Sequence, residues 1–105
     1  MNEEDDQIVF VQEYWENISH VNNPSEVVQL ASVKEFPHAI AFIKNPSEKV
    51  QLAAVMQNSS AIGYIKNPSE AVQVAAVTED GWAIKYIDNP SDRVKMLAEL
   101  CKEHV

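Results

Sequence analysis

The sequence predicts an all-α fold, a short α-solenoid of about four to five two-helix repeats. Three observations carry that expectation. The triplet Asn-Pro-Ser begins at Asn23, Asn45, Asn67 and Asn89, always 22 residues apart. A helix-start signal recurs with it. Rows of small and apolar residues recur at the same period, as stacked units require, because no single unit can bury its apolar face alone.

Taken in order, residues 1–20 read as a degenerate amino-terminal cap repeat. Shifted by one period, Gln7, Ile8 and Val11 fall on Gln29, Leu30 and Val33, and Ile18 falls on Ile40. Complete repeats follow at 21–42, 43–64 and 65–86, and residues 87–105 read as a carboxyl-terminal capping helix, all within one domain. In each repeat Asn45, Pro46 and Glu48, or their equivalents Asn67, Pro68 and Glu70, form a capping pattern with asparagine as N-cap. The predicted helix runs to about Asn58, roughly 12 residues or about 18 Å. A second start follows at Phe36-Pro37, Asn58-Ser59 and Asp80-Gly81. It opens a short helix, α or partly 3₁₀, that ends before the next proline-led start. After Asp92 the stretch "RVKMLAELCKEHV" departs from the pattern, as terminal repeats of solenoids do.

The recurring rows Val28/Val50/Val72/Val94, Val33/Val55/Val77, Ile40/Ile62/Ile84 and Phe42/Tyr64/Tyr86 read as core. Ala31/Ala53/Ala75, with Ser32/Ala54/Ala76 beside them, would let neighbouring helices approach closely. Gln29, Gln51 and Gln73 read either as a ladder to the loop of the adjacent repeat or as solvent-facing helix formers. His20 occupies the slot of Phe42 and Tyr64 and reads as a partly buried structural histidine. Tyr14-Trp15 reads as the hydrophobic closure of the cap, with an aromatic contact surface as the alternative.

The 105 residues carry eight Lys+Arg against sixteen Asp+Glu, a formal charge of −8. That argues against direct binding of a nucleic-acid backbone, which needs clustered bases. It suits solubility or a basic partner surface. One cysteine, Cys101, leaves no internal disulfide. No run approaches the ~20 apolar residues of a membrane span, and the start "MNEEDD" is unlike a secretory signal. A soluble, cytoplasmic protein is the expectation. Asn17-Ile18-Ser19 and Asn58-Ser59-Ser60 have the form of glycosylation acceptors, which count only in a secreted chain.

Chemistry-bearing patterns are sparse. His20, His38 and His104 lack partners at zinc-ligand spacing. Cys101 has no surroundings that would activate it. Phosphate-loop, HExxH and GxSxG motifs do not occur. The reading is a non-enzyme with no cofactor and no metal.

The pattern NPSExVQLAAV followed by AIxYI resembles short tandem helical repeats of bacterial and phage proteins. It is similar in style to leucine-rich repeat variant and HEAT-like solenoids, which pair helices in a curved stack. The resemblance covers about Val21 to Leu100. It implies a curved superhelix and a binding role, and it transfers no catalytic residue.

In a solenoid the varying positions are the candidates for partner contact. Lys49 and Arg93 vary with Val27 and Ala71 at one place. Met56 varies with Lys34 and Thr78, followed by Glu35, Gln57 and Glu79. His38, Ser60 and Trp82 stand in line at the inter-helix turn, beside Asp80. Trp82 reads as an interface anchor or as a cover for Tyr86 four residues on. These residues point to a protein-binding helical repeat module whose partner is another protein, with no membrane contact. The alternative is an acidic inhibitor, encoded by a phage or mobile element, that blocks the basic groove of a host nuclease or CRISPR effector. It would use Glu35, Glu79, Asp80 and the acidic cap (Glu3, Glu4, Asp5, Asp6, Glu13 and Glu16). Self-association through Leu97, Leu100 and Cys101 is a further option.

Overall fold

A computed structural model of the chain describes residues 3–102. Five α-helices alternate with four 3₁₀ helices among these residues: α1 (Glu3–Val11), η1 (Asn17–His20), α2 (Glu26–Glu35), η2 (Pro37–Phe42), α3 (Glu48–Gln57), η3 (Ser59–Tyr64), α4 (Glu70–Glu79), η4 (Gly81–Tyr86) and α5 (Asp92–Lys102). The all-helical repeat architecture is the expected one, and the short second helix is 3₁₀ throughout.

The α-helices start two residues later than the capping pattern predicts. Asn23, Asn45, Asn67 and Asn89 have φ between 48 and 51°, a left-handed conformation that asparagine tolerates better than most residues. They turn the chain and do not cap it. The N-cap is the serine two residues on. Ser25, Ser47 and Ser69 have extended backbone, and each hydroxyl accepts the N–H of Val28, Val50 or Val72. Ser91 accepts from Val94 in the same way at 3.2 Å. The helices after Ser25, Ser47 and Ser69 are therefore 10 residues long.

Moving the cap gives the glutamates a different task. Glu26, Glu48 and Glu70 open their helices, and each carboxylate accepts a hydrogen bond from the N-cap serine of the next repeat. The donors are Ser47 to Glu26 at 2.7 Å, Ser69 to Glu48 at 2.9 Å and Ser91 to Glu70 at 2.6 Å. Ser25 makes the same bond to Glu4 at 2.7 Å, so α1 is tied into the series. The glutamines bond their own repeat's loop, not the neighbour's. Gln29, Gln51 and Gln73 donate Nε2–H to the carbonyls of Pro24, Pro46 and Pro68 at 2.9–3.0 Å. The turn before each helix is thereby fixed from inside its own unit.

The second starts lie where the sequence puts them. Asn58 Oδ1 accepts the Ser60 N–H and Asp80 Oδ1 the Trp82 N–H, at 3.1 and 2.9 Å. Phe36 offers no side-chain cap and relies on Pro37.

The core runs the length of the stack. The valines at 28, 33, 50, 55, 72, 77 and 94 are fully buried, as are Ala54 and Ala76. Val11 and Ile18 of the first unit join them. Ser32 takes the place of Ala54 and Ala76, fully buried, and its hydroxyl has no partner. At the far end α5 crosses η4 closely. A Cβ on Gly81 would lie 2.3 Å from the Ala98 carbonyl oxygen, so this approach requires glycine. The molecule measures 48 × 24 × 17 Å, or about 10 Å per unit, the normal spacing of packed helices.

Three core assignments fail. Phe42, Tyr64 and Tyr86 are 42%, 56% and 45% exposed. Ala39, Ile40 and Ile43 take the buried positions, and Phe42, the last residue of η2, is left outside them. His20, at the same position, is exposed as well. Tyr14 is 64% and Trp15 49% exposed, so they do not close the cap; Trp15 packs on the Phe42 ring with centroids 5.1 Å apart. His104 lies outside the described residues.

Candidate protein-binding face

Because η and α run antiparallel within a unit, each repeat has two edges. One holds the end of an α-helix and the start of the following η. The other holds the end of η, the Lys-Asn-Pro-Ser loop and the start of the next α-helix. The sequence-derived candidates divide between them. Glu35, Met56, Glu79, Asp80, His38 and Trp82 belong to the first edge, while Lys49 and Arg93 lie in the first turns of α3 and α5 at the second. A helix of 10 residues, about 15 Å long, separates the two groups, so they do not make one site.

On the first edge Glu35, Met56, Glu79, Asp80 and Trp82 are exposed, as expected of variable positions. Trp82 makes no ring contact with Tyr86; the ammonium of Lys102 sits over it, 4.5 Å from the ring centroid, and the same ammonium bonds Glu99 at 3.0 Å. Trp82 thus belongs partly to the docking of α5. His38 is half-buried, with Nε2 3.1 Å from Ser60 Oγ and its ring edge-on to Tyr64. The Ser60 hydroxyl also lies 2.8 Å from Asn58 Oδ1, which accepts from it. Asp80 is a cap. Lys49 and Arg93 are exposed, in line with Val27 and Ala71.

The feature that sequence reasoning missed lies on the second edge. Between successive loops runs a series of open slots. The slot between the second and third units is bounded by Phe42 and Tyr64, with Ile43, Lys44, Asn45, Gln51 and Lys66 among its lining, and encloses about 630 Å³. The next repeats it with Tyr64, Tyr86, Lys66, Asn67, Gln73 and Asp88 in about 540 Å³. A third lies between Phe42 and the end of η1, with Lys44 and about 490 Å³. Gln51 and Gln73 each keep a buried Oε1 without a hydrogen-bond partner. Lysine and asparagine recur around these three slots, where Asp88 is the one carboxylate, whereas the hollow one period earlier, of about 430 Å³, is lined by Glu3 and Asp6 with His20 and Asn22. The sequence did hold the signal: Phe42, Tyr64 and Tyr86 repeat beside an isoleucine that already fills the core position.

Among the described residues no group of His, Cys, Asp and Glu is placed to hold a metal ion, and no helix is long and apolar enough to cross a membrane. At the carboxyl end Leu97 and Cys101 are half-buried, while Met96 and Leu100 remain 60% and 51% exposed. No family model, curated protein or solved structure matches the chain.

Proposed function

We propose that the protein is a non-enzymatic protein-binding helical repeat module, and that its partner lies across the slots of the second edge. One observation carries this reading: an exposed aromatic side chain recurs at the same position in three successive repeats, bounding a slot each time. Exposed aromatic rings in a row leave apolar area uncovered, and aromatic residues are enriched in the cores of protein interfaces. Regular spacing presents that area to an extended ligand surface, as solenoids do.

The inhibitor reading, an acidic phage or mobile-element product that fills a basic groove, calls for a continuous carboxylate stripe. Glu3 to Asp6 belong to the start of α1, whereas Glu35, Glu79 and Asp80 lie at the opposite ends of their helices. Gln57 and Asn58 interrupt the latter row, and Lys49 and Arg93 sit among the first-turn carboxylates. That division favours a general adaptor.

Photocrosslinking in cells of the source organism tests the reading. With p-benzoylphenylalanine at Tyr64, on the slot edge, discrete protein adducts are expected. The same group at Met56, on the other edge, should give none. Adducts from position 56 alone, or nucleic-acid adducts from position 64, would overturn it.

A further inference from the structure

Two slots of this edge differ in charge from the molecule as a whole. The chain carries −8 overall, yet the slot between Phe42 and Tyr64 is lined by Lys44 and Lys66 and by no carboxylate, and the slot before it by Lys44 alone among charged residues. The first-turn glutamates Glu26, Glu48 and Glu70 keep their charge but accept the serine bonds described above and do not line these two slots. A partner drawn to this edge would therefore be acidic where it meets the lysines.

The asparagines supply the second element. Asn23, Asn45, Asn67 and Asn89 are exposed and sit on the slot rims. Among the described residues their side-chain amides make no hydrogen bond within the chain. Their left-handed backbone accounts for asparagine or glycine, and glycine would adopt it with less strain. Asparagine occurs at all four positions. A side-chain amide both donates and accepts, the complement of a peptide group. One such amide per repeat, beside an aromatic wall and a lysine, matches a polypeptide in extended conformation.

Resting on the protein-binding reading, we propose that the slot edge holds an extended, acidic polypeptide segment. The amides of Asn45 and Asn67 pair with its backbone, Phe42, Tyr64 and Tyr86 flank its apolar side chains, and Lys44 and Lys66 meet its carboxylates. Units spaced about 10 Å apart correspond to one turn of a polyproline II-type extended chain, three residues rising about 3.1 Å each, so the anchoring side chains recur on one face at every third position.

Fluorescence polarisation tests this with a labelled peptide of four Leu-Glu-Ser triplets, its Leu-Lys-Ser counterpart and a poly-deoxythymidine strand. The acidic peptide is expected to bind at least about tenfold more tightly than the basic one, and less tightly as salt is raised. The double variant Lys44→Glu/Lys66→Glu should abolish that preference. The double variant Asn45→Gly/Asn67→Gly keeps the turn, and should weaken binding about tenfold while leaving the melting temperature unchanged. No binding, equal binding of the two peptides, tighter binding of the oligonucleotide, or full affinity in the asparagine variant would each overturn the proposal. Crosslinked protein at Tyr64 together with any of those results would leave the binding face standing and remove only the acidic, extended partner.

Discussion

The Ser69 hydroxyl makes two hydrogen bonds at once, accepting the Val72 N–H at 3.3 Å and donating to Glu48 of the preceding repeat at 2.9 Å. Ser69→Ala removes a helix cap and an inter-repeat bond together, and should cost about 1–2 kcal/mol in urea denaturation. Asn67→Gly in the same loop should cost nothing measurable, because it keeps the left-handed turn; Asn67→Ala should cost about 1 kcal/mol. If asparagine were the cap, the order would reverse, with Ser69→Ala nearly silent. That a helix begins at each Asn-Pro-Ser was legible in the sequence. Which residue caps it was not, since asparagine and serine are both good N-caps and proline favours the position after the cap. The backbone angle of Asn67, φ 50°, decides the matter, because an N-cap has extended backbone. Ser32 offers a converse case. Its buried hydroxyl has no partner, and Ala54 and Ala76 fill the same position in the following repeats. Ser32→Ala should therefore stabilise the protein by about 1 kcal/mol, read as a higher denaturation midpoint with an unchanged slope.

At the scale of elements, the two glycines mark two different contacts, Gly63 of η3 against η4 and Gly81 of η4 against α5. A Cβ on Gly63 would meet Tyr86 no closer than 3.4 Å, whereas one on Gly81 would strike the Ala98 carbonyl oxygen at 2.3 Å and the Lys102 nitrogen at 2.7 Å. Gly63→Ala should leave stability within about 0.5 kcal/mol. Gly81→Ala must push α5 off η4, and should cost more than about 2 kcal/mol while loosening the Lys102–Trp82 contact. In a Trp15→Phe background, which leaves Trp82 as the one tryptophan, fluorescence would report that loosening; an unchanged spectrum and stability would mean that α5 does not hold this position. The period of the repeat made α and 3₁₀ segments legible, down to the second helix starts. It did not distinguish Phe42, Tyr64 and Tyr86 from core, because a residue kept at one position in every unit is expected whether stacking or a periodic partner requires it. The packing separates the cases, with Ile40 1% and Phe42 42% exposed.

At the scale of the molecule, the stack is elongated: its radius of gyration is 14.5 Å, against about 13 Å for a compact domain of this length. Elongation follows from contacts made only between neighbouring units, and stability is then a sum of unit and interface terms. A second copy of Ile43–Tyr64 inserted between Tyr64 and Ile65 adds one new interface, between two identical units, that keeps the recurring core residues, the serine–glutamate bond and a slot. It brings two lysines and one glutamate, so the net charge hardly changes and any gain comes from stacking. X-ray scattering should show the longest dimension growing by about 10 Å at constant cross-section. Urea denaturation should show a steeper slope and a higher midpoint, because more surface is buried in one cooperative unit. A longer particle with an unchanged midpoint would mean that the interface terms add little and that the end units, α1 and α5, set the stability of the whole. The extra slot also separates the two roles of the repeat: the serine–glutamate bonds predict the gain in stability, and the Asn-Lys-aromatic rim predicts tighter binding of a longer acidic peptide by the extended protein alone.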